Sequence, residues 1–190
     1  MSPRRILPTT LHEPWFSFLK DLDPIAGEPT KIPCIGGFAV TQYYGLARTT
    51  ADLDVIDVAP LAARKRLIEA GGRGSILARR HRVYLDFVGI AQVPYEYEGR
   101  LAPIYGGLFQ NIRLFVADPY DIALCKLKRD SDRDFQDVLY LARSTPFDLE
   151  ILERRYREEL RPYLFGSASE ADFALAHWLE SIREDRQRQV

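Results

Sequence analysis

The feature that most constrains this chain is a pair of aspartates, Asp52 and Asp54, at alternate positions of the run Asp-Leu-Asp-Val. Such a run is typical of a β-strand, and residues two apart on a strand face the same way. Leu53 is then expected to face the core, while both carboxylates project from the opposite face. Because neighbouring carboxylates repel each other unless a cation neutralises them, the spacing predicts a cation site on this strand.

A third carboxylate, Asp86, lies in the middle of the apolar run Val-Tyr-Leu-Asp-Phe-Val. An ionised aspartate in such a strand needs a partner. If the two strands are neighbours, three carboxylates can hold two metal ions of the kind that assist an in-line phosphoryl displacement. The expected cation is Mg²⁺, with Mn²⁺ as the substitute, because Mg²⁺ prefers oxygen ligands and shares them with substrate phosphates.

Two consecutive glycines, Gly36 and Gly37, follow a predicted strand at residues 32–35 and precede a predicted helix at residues 38–46. Glycines in this position let backbone N–H groups approach a phosphate closely, and the start of a helix adds positive potential. Each feature also has a plain structural interpretation, since Asp-x-Asp pairs occur on solvated edges and Gly-Gly pairs mark simple turns. Their combination with Asp86 favours a functional site.

The charge balance gives no global sign of a nucleic-acid partner, because the formal net charge of the 190 residues is −1. Any such contact must come from a local patch. The densest basic run is Arg79-Arg80-His81-Arg82, immediately before the Asp86 strand. It either holds an RNA backbone or forms the solvated tip of a hairpin.

Hydrophobic periodicity predicts mixed α/β structure in the first two thirds of the chain and helices in the last third. The further predicted strands cover residues 53–58, 75–77, 82–90, 101–103 and 108–116. The further predicted helices cover residues 13–22, 60–70, 120–129, 132–142, 149–160 and 170–186, with a loop at 23–30. These patterns predict a core at residues 1–117, including the N-terminal helix, and a helical part packed on it at residues 118–190.

The motif residues Ile35-Gly36-Gly37, Asp52-Leu53-Asp54-Val55 and Asp86 resemble the hallmark of the nucleotidyltransferase superfamily, which has the DNA polymerase β-like fold. This resemblance implies an α/β (α+β) fold, with a nucleotidyltransferase-like mixed sheet flanked by helices and a C-terminal helical bundle. It also implies that Asp52, Asp54 and Asp86 are metal ligands and catalytic residues.

Two further matches are similar to the toxin-type, AbiEii–MenT-like nucleotidyltransferases, and the resemblance covers residues 31–143. The first match comprises Gly45, Arg48, Thr50, Asp52 and Asp54, and the second comprises Lys126, Arg133, Asp134 and Asp137. The chain departs from these relatives in having Gly-Gly where they have Gly-Ser. It also has Leu127 and Lys128 where an acidic residue commonly follows the lysine.

The resemblance implies a nucleotide-binding set and adds Lys126 to the catalytic residues. The nucleotide-binding set is Gly36, Gly37, Arg48, Thr50, Lys126, Asp134 and Asp137.

Structural alternatives stay open for several members of this set. Arg48 either binds the triphosphate or pairs with Asp52 or Asp57. Lys126 contacts a nucleotide phosphate or is an exposed helix lysine. In either an exposed or a cleft position its removal should change thermal melting little.

The two aspartates of the second match, Asp134 and Asp137, lie one helical turn apart and share a helix face. They position Lys126, position a nucleotide, or form a charge cluster at the helix start with Asp132.

The resemblance implies Mg²⁺-dependent transfer of a nucleoside monophosphate from an NTP to an RNA, such as a tRNA 3′ end, or to a protein hydroxyl. The setting it implies is a toxin–antitoxin or phage-defence system with a cognate antitoxin protein. One alternative is a non-catalytic binding module or antitoxin partner with the same fold, and another is a kinase-like relative. Intact carboxylates favour the enzyme.

No targeting signal is visible, because the start Met-Ser-Pro-Arg-Arg is not followed by an apolar segment. No apolar run approaches the length of a membrane span. We therefore expect a cytoplasmic protein without a membrane partner.

Overall fold

A computed structural model describes residues 10–88, 92–129 and 131–189 of the chain. The contacts among these residues divide the chain into two compact units. The first contains residues 10–88 and 101–116, and the second contains residues 92–100 and 117–189. The sheet belongs to the first unit and the second is helical, which gives the α/β class with a C-terminal helical bundle that the sequence predicts.

The first unit is built on a mixed five-stranded sheet in the order β3-β2-β1-β5-β4. Its strands are β1 Thr30–Cys34, β2 Asp52–Val55, β3 Tyr84–Phe87, β4 Ala102–Ile104 and β5 Ile112–Val116. Strands β2 and β3 are parallel, as are β1 and β5, whereas β1 with β2 and β4 with β5 are antiparallel.

The alternating burial on β2 explains why this strand pairs with its neighbours in a single register. Leu53 and Val55 are buried, and the alternating Asp52 and Asp54 are partly exposed. A shift of the strand by one residue would place both carboxylates in the apolar core, so burial specifies the pairing strongly.

The helices of the first unit are α1 Trp15–Ala26, α2 Gly36–Phe38, α3 Leu61–Gly71 and α4 Ile76–His81. Helix α2 continues as a π-helical turn over Ala39–Tyr43. Helices α1, α3 and α4 pack together, and α3 and α4 also pack against β3.

Helix α1 extends beyond its predicted end, through Pro24 to Ala26, so the predicted loop at residues 23–30 is wrong over its first four residues. The cause is Asp23, which is buried and accepts hydrogen bonds from three backbone N–H groups that precede or begin β5. These belong to Gln110 at 2.9 Å, Asn111 at 2.8 Å and Ile112 at 2.7 Å. A buried carboxylate with three donors is satisfied inside the fold rather than in a solvated loop.

The predicted strand at residues 75–77 is also wrong, because these residues begin helix α4. Ser75 caps the helix by accepting a hydrogen bond from the N–H of Ala78 at 3.1 Å. Arg82 ends it in the left-handed conformation, with φ of 59°. The basic run therefore lies on a short helix and its end, not at the tip of a hairpin. The predicted strand at residues 82–90 corresponds to β3, and its last two residues lie outside the described part.

The described part of the second unit contains residues 92–100, four α-helices, a π-helical turn at Tyr156–Leu160 and a 3₁₀ turn at Arg161–Tyr163. The helices are α5 Pro119–Lys126, α6 Asp132–Ser144, α7 Leu149–Arg155 and α8 Ser169–Arg188. The side chains of Asp118, Ser131 and Asp148 cap the first three. Helix α6 packs on α5 and α8.

Residues 92–100 belong to the second unit because Arg100 joins two of its elements. The guanidinium donates two hydrogen bonds to the buried carboxylate of Asp121, at 2.8 and 2.9 Å. It donates a third to Glu159 at 2.7 Å. Burial of Asp121 is tolerated because its charge is paired and hydrogen-bonded.

Candidate functional site

The register of β2 and β3 brings three carboxylates together. Asp54 lies directly opposite Asp86 in the parallel pairing, and Asp52 lies on the same face of β2, two residues away. One oxygen from each of the three side chains lies within 4.8 Å of the others. The structure therefore confirms the predicted meeting of Asp52, Asp54 and Asp86 on neighbouring strands. We call these three residues the carboxylate triad.

The triad has the chemistry of a site for a hard divalent cation. All three donors are carboxylate oxygens, and all three residues are partly exposed. Open donors of this kind leave coordination positions for water and phosphate oxygens, which is how Mg²⁺ is usually bound beside nucleotides. The residues present thus fit a divalent metal ion.

The Gly-Gly turn approaches the triad so closely that residue 36 must be a glycine. Its φ is +64°, and a Cβ atom built on it would lie 1.7 Å from the Oδ2 atom of Asp54. The preceding residue, Ile35, donates its N–H to the carbonyl oxygen of Asp54 at 3.0 Å. The turn and the carboxylate therefore form one tightly packed group.

Gly37 is similarly close to the two polar residues that the sequence placed in the nucleotide site. A Cβ atom on Gly37 would lie 2.8 Å from the hydroxyl oxygen of Thr50 and 3.2 Å from a guanidinium nitrogen of Arg48. The Thr50 hydroxyl donates to the carboxylate of Asp52. The structure thus gathers Gly36, Gly37, Arg48 and Thr50 beside the triad.

Sequence reasoning missed a tyrosine–arginine pair on the other side of the triad. Tyr84 lies opposite Asp52 in the register of β2 and β3. Its hydroxyl accepts a hydrogen bond from Arg73, and the guanidinium carbon of Arg73 lies 4.5 Å from the centre of the Tyr84 ring. Tyr84 could have been found as the residue two positions before Asp86 on one strand face, but no sequence pattern connects it to Arg73.

The surroundings of Tyr84 keep its hydroxyl protonated. Burial raises the pKa of this phenol, and the negative charges of Asp52 and Asp86 raise it further, against the lowering effect of Arg73. The hydroxyl is therefore a neutral group that holds the Arg73 guanidinium.

Cys34 lies at the end of β1 and is buried, and among the described residues it is not in the group whose ligand atoms meet. Burial raises the pKa of its thiol far above the ordinary value, and the charge of Asp54 raises it further. The thiol is therefore protonated in the free protein, and the candidate donors that meet are the carboxylate oxygens of the triad.

Lys126, Asp134 and Asp137 lie in the second unit and bind one another. The Lys126 ammonium donates to Asp134 at 2.7 Å and to Asp137 at 2.9 Å, and its side chain is only 3% exposed. The expectation of an exposed or cleft lysine is therefore wrong, and the small effect on melting that was inferred from it no longer follows. The sequence leaves three interpretations open for the two aspartates. The observed contacts match the one in which they position Lys126.

The charges of this cluster compensate for its burial. Burial alone would raise the pKa of Asp134, but the hydrogen bond and the charge of Lys126 outweigh it, with help from Ser131 and Arg129, and the pKa is lowered. Asp134 is therefore held as a carboxylate.

Within the described residues, two members of the basic run on α4 contact a carboxylate, whereas Arg79 contacts a neutral group. Arg80 and His81 both contact the carboxylate of Asp21, at 3.3 and 2.8 Å. Arg79 instead donates to the carbonyl oxygen of Gly74. The positive charge of Arg79 is therefore held by a neutral oxygen.

A mixed sheet that carries an Asp-x-Asp strand beside a third aspartate, with a Gly-Gly turn packed against it, defines a nucleotidyltransferase of the DNA polymerase β-like superfamily. A family model described as a nucleotidyltransferase of unknown function (DUF6036) matches residues 16–186, and the chain belongs to this family. No curated protein and no solved structure matches the chain. In the described part, no helix combines the length and the apolar character that crossing a bilayer requires.

Proposed function

We propose that the protein transfers a nucleoside monophosphate from an NTP to a hydroxyl acceptor, with Mg²⁺ or Mn²⁺ at the carboxylate triad. The observation that carries this proposal is the meeting of Asp52, Asp54 and Asp86, with ligand oxygens within 4.8 Å of one another. When bound, the divalent ion supplies positive charge that offsets the carboxylates and the charge developing on the transferred phosphoryl group.

The Gly-Gly turn and the residues around it hold the triphosphate in this proposal. Backbone N–H groups of the turn can approach phosphate oxygens because Gly36 and Gly37 carry no side chains. Arg48 adds a planar donor fork, and Thr50 orients the carboxylate of Asp52 through its hydroxyl. The nucleotide contacts proposed for Lys126, Asp134 and Asp137 are tested separately, because these three side chains are buried and bind one another.

The chemical step is an in-line displacement at the α-phosphorus. The acceptor oxygen forms a bond to the α-phosphorus, the bond from that phosphorus to the bridging oxygen breaks, and pyrophosphate leaves with that oxygen. Asp86 accepts the hydroxyl proton of the acceptor, since its partly exposed carboxylate is the triad member on the outer strand β3. The acceptor is an RNA, such as a tRNA 3′ end, or a protein hydroxyl. The setting is a toxin–antitoxin or phage-defence system with a cognate antitoxin, in the cytoplasm.

The test is incubation of the protein with each NTP, labelled at the α-phosphate or at the γ-phosphate, with Mg²⁺ or Mn²⁺ and either total RNA or total protein. We expect α-label in one fraction, release of pyrophosphate, and loss of both with a chelator or with Asp54→Asn. Glu69→Gln, which removes an exposed carboxylate of α3 outside the triad, is the matched control and should leave transfer unchanged.

Other outcomes separate the alternatives. Transfer of γ-label alone would make the protein kinase-like and overturn the proposal. A folded protein that labels neither fraction and binds no NTP with either metal would indicate a non-catalytic binding module.

A further inference from the structure

The starting observation is that two arginines near β3 are held by neutral groups: Arg73 contacts Tyr84 of β3, and Arg79 lies on α4, which packs against β3. Arg73 donates to the Tyr84 hydroxyl, and Arg79 donates to the carbonyl oxygen of Gly74. Both side chains are exposed, as is Arg82 at the end of α4. Among the described residues, no carboxylate lies within 4.0 Å of the Arg73 or Arg79 guanidinium. We call Arg73, Arg79 and Arg82 the basic strip.

Tyr84, which holds Arg73, and the Gly-Gly turn adjoin the triad from opposite sides of β2. The turn follows β1, which pairs with β2 on one side, and Tyr84 lies on β3, which pairs with β2 on the other side. The triad lies on β2 and β3, between these two features. If the turn side holds the triphosphate, the β3 side is the one from which the acceptor reaches the α-phosphorus.

Tyr84 fixes the direction of the first arginine of the strip. The guanidinium lies over the tyrosine ring, at 4.5 Å from its centre, and also bonds its hydroxyl. This contact uses part of the guanidinium, which has five N–H donors. The remaining donors stay available for an anion, and the aromatic contact restricts the side chain to one direction.

The charge pattern favours an acceptor with repeated negative charges. Arg73 is held by Tyr84 opposite Asp52, Arg79 bonds Gly74 next to Arg73, and Arg82 precedes β3 by two residues. Positive charges in this order suit a strand whose phosphates follow one another. A protein hydroxyl brings no such repeat of negative charge. We propose that the basic strip binds the phosphate backbone of a single-stranded polynucleotide acceptor, with Arg73 on the phosphate nearest the triad and Tyr84 as its positioning residue.

This inference rests on the proposed function, because it assigns the acceptor of that reaction. Binding can still be measured separately from transfer. The measurement is fluorescence anisotropy of a labelled single-stranded RNA with the full chain in Mg²⁺ without NTP, repeated over a range of salt concentrations. Calorimetry of NTP with Mg²⁺ is measured on the same variants, and circular dichroism melting confirms that each is folded.

The variants are Arg73→Gln and Arg79→Gln, with Arg80→Gln as the matched control. Arg80 is exposed on the same helix as Arg79, but its charge is paired with Asp21. We expect the two strip variants to weaken RNA binding several-fold. Each should reduce the slope of log affinity against log salt by about 0.7, the value for one phosphate contact on a single strand. Arg80→Gln should change that slope much less, and all three should keep wild-type NTP affinity.

If Tyr84 only positions Arg73, its hydroxyl should affect RNA binding differently from the charge of Arg73. Tyr84→Phe keeps the ring under the guanidinium and removes only the hydroxyl. It should weaken RNA binding less than Arg73→Gln does and leave the salt slope unchanged, since the charge remains. Arg73→Lys should restore the salt slope without restoring full affinity, because lysine lacks the planar fork.

Three results would overturn the inference. RNA affinity and salt slope that are equal in Arg73→Gln and in the wild type, with NTP binding intact, would leave the proposed function standing and indicate a protein acceptor. Equal losses in Arg79→Gln and Arg80→Gln would show a general effect of net charge. If the protein binds RNA through Arg73 but binds no NTP, the proposed function is wrong, and RNA can no longer be called the acceptor of that reaction.

Discussion

Asp54 and Asp86 lie directly opposite each other on the parallel strands β2 and β3. Their carboxylates meet that of Asp52, with ligand oxygens within 4.8 Å of one another. At such separations two negative charges repel by roughly 1–3 kcal/mol at effective dielectric constants between those of water and a protein surface. The free protein therefore carries a local electrostatic cost that a bound divalent cation would remove, and this cost makes the triad a candidate metal site.

Gly36→Ala should displace the Asp54 carboxylate from the triad, although residue 36 is not itself a member of the triad. The new Cβ atom would occupy the position of the Asp54 carboxylate, 1.7 Å from Oδ2, at a φ of +64°. The left-handed conformation alone should lower the free energy of unfolding by roughly 1–2 kcal/mol. Displacement of Asp54 should also weaken Mg²⁺-dependent NTP binding. Urea unfolding and calorimetry measure the two effects.

Gly106→Ala is the control for that substitution, because a Cβ atom there meets nothing within 4 Å. It should change neither measurement appreciably. Wild-type NTP affinity in Gly36→Ala would show that nucleotide binding does not depend on the position of Asp54.

Lys126→Met should destabilise the protein strongly. The substitution leaves Asp134 and Asp137 buried without the ammonium that both bind at 2.7 and 2.9 Å. Breaking a buried ion pair in this way typically costs roughly 3–5 kcal/mol. Lys128→Met is the matched control, since Lys128 is exposed and, within the described part of the chain, donates to the carbonyl oxygen of Phe165. Equal, small changes in melting temperature for both variants would contradict the structural role of Lys126.

The same Lys126→Met variant tests the proposed nucleotide contact. NTP affinity measured at a temperature where the variant is still folded separates that contact from the loss of stability. Wild-type affinity there would remove Lys126 from the nucleotide-binding set and leave it as a structural residue.

Stability at acidic pH should depend on Asp134. Its pKa is lowered from 3.8 in the folded protein, so the folded state binds this proton less readily than the unfolded state does. The stabilisation is therefore fully present above pH 3.8 and is lost as the pH falls through the lower, folded-state pKa. Each unit of lowering contributes about 1.4 kcal/mol.

Urea unfolding of the wild type and of Asp134→Asn over this acidic range measures that contribution. The variant should be less stable near neutral pH and should lose less stability on acidification. An identical pH dependence in both proteins would show that the Lys126–Asp134 pair does not contribute to acid sensitivity.

The triad could be predicted from sequence because its geometry is local. The two-residue period of a strand places Asp52 and Asp54 on one face, and Asp86 lies in an apolar run that could only be a strand. Only the pairing of β2 with β3 had to be assumed. Gly36 lies close to Asp54 for a similarly local reason: the glycine pair directly follows β1, and β1 pairs with β2.

Other features depend on contacts between distant segments and could not be predicted in this way. Asp23 extends α1 because it bonds backbone groups almost ninety positions later in the chain, with separations of 87 to 89 residues. The burial of Lys126 follows from the packing of α5 on α6, which periodicity does not report. The hydrophobic pattern predicts a strand and a turn where the structure has the short helix α4, although the serine at position 75 is a helix-capping signal.

Calorimetric titration of NTP into the wild type and Asp54→Asn, each with and without Mg²⁺, tests directly whether nucleotide binding requires a metal ion at the triad. We expect the wild type to bind NTP only with the metal and Asp54→Asn to bind roughly tenfold or more weakly, since loss of a direct ligand should cost at least as much affinity as loss of an outer-shell partner. Thermal melting of the metal-free variant should be unchanged or raised, because one repelling charge is gone. Metal-independent NTP binding, or equal NTP affinity in Asp54→Asn and the wild type, would contradict metal-dependent nucleotide binding at the triad.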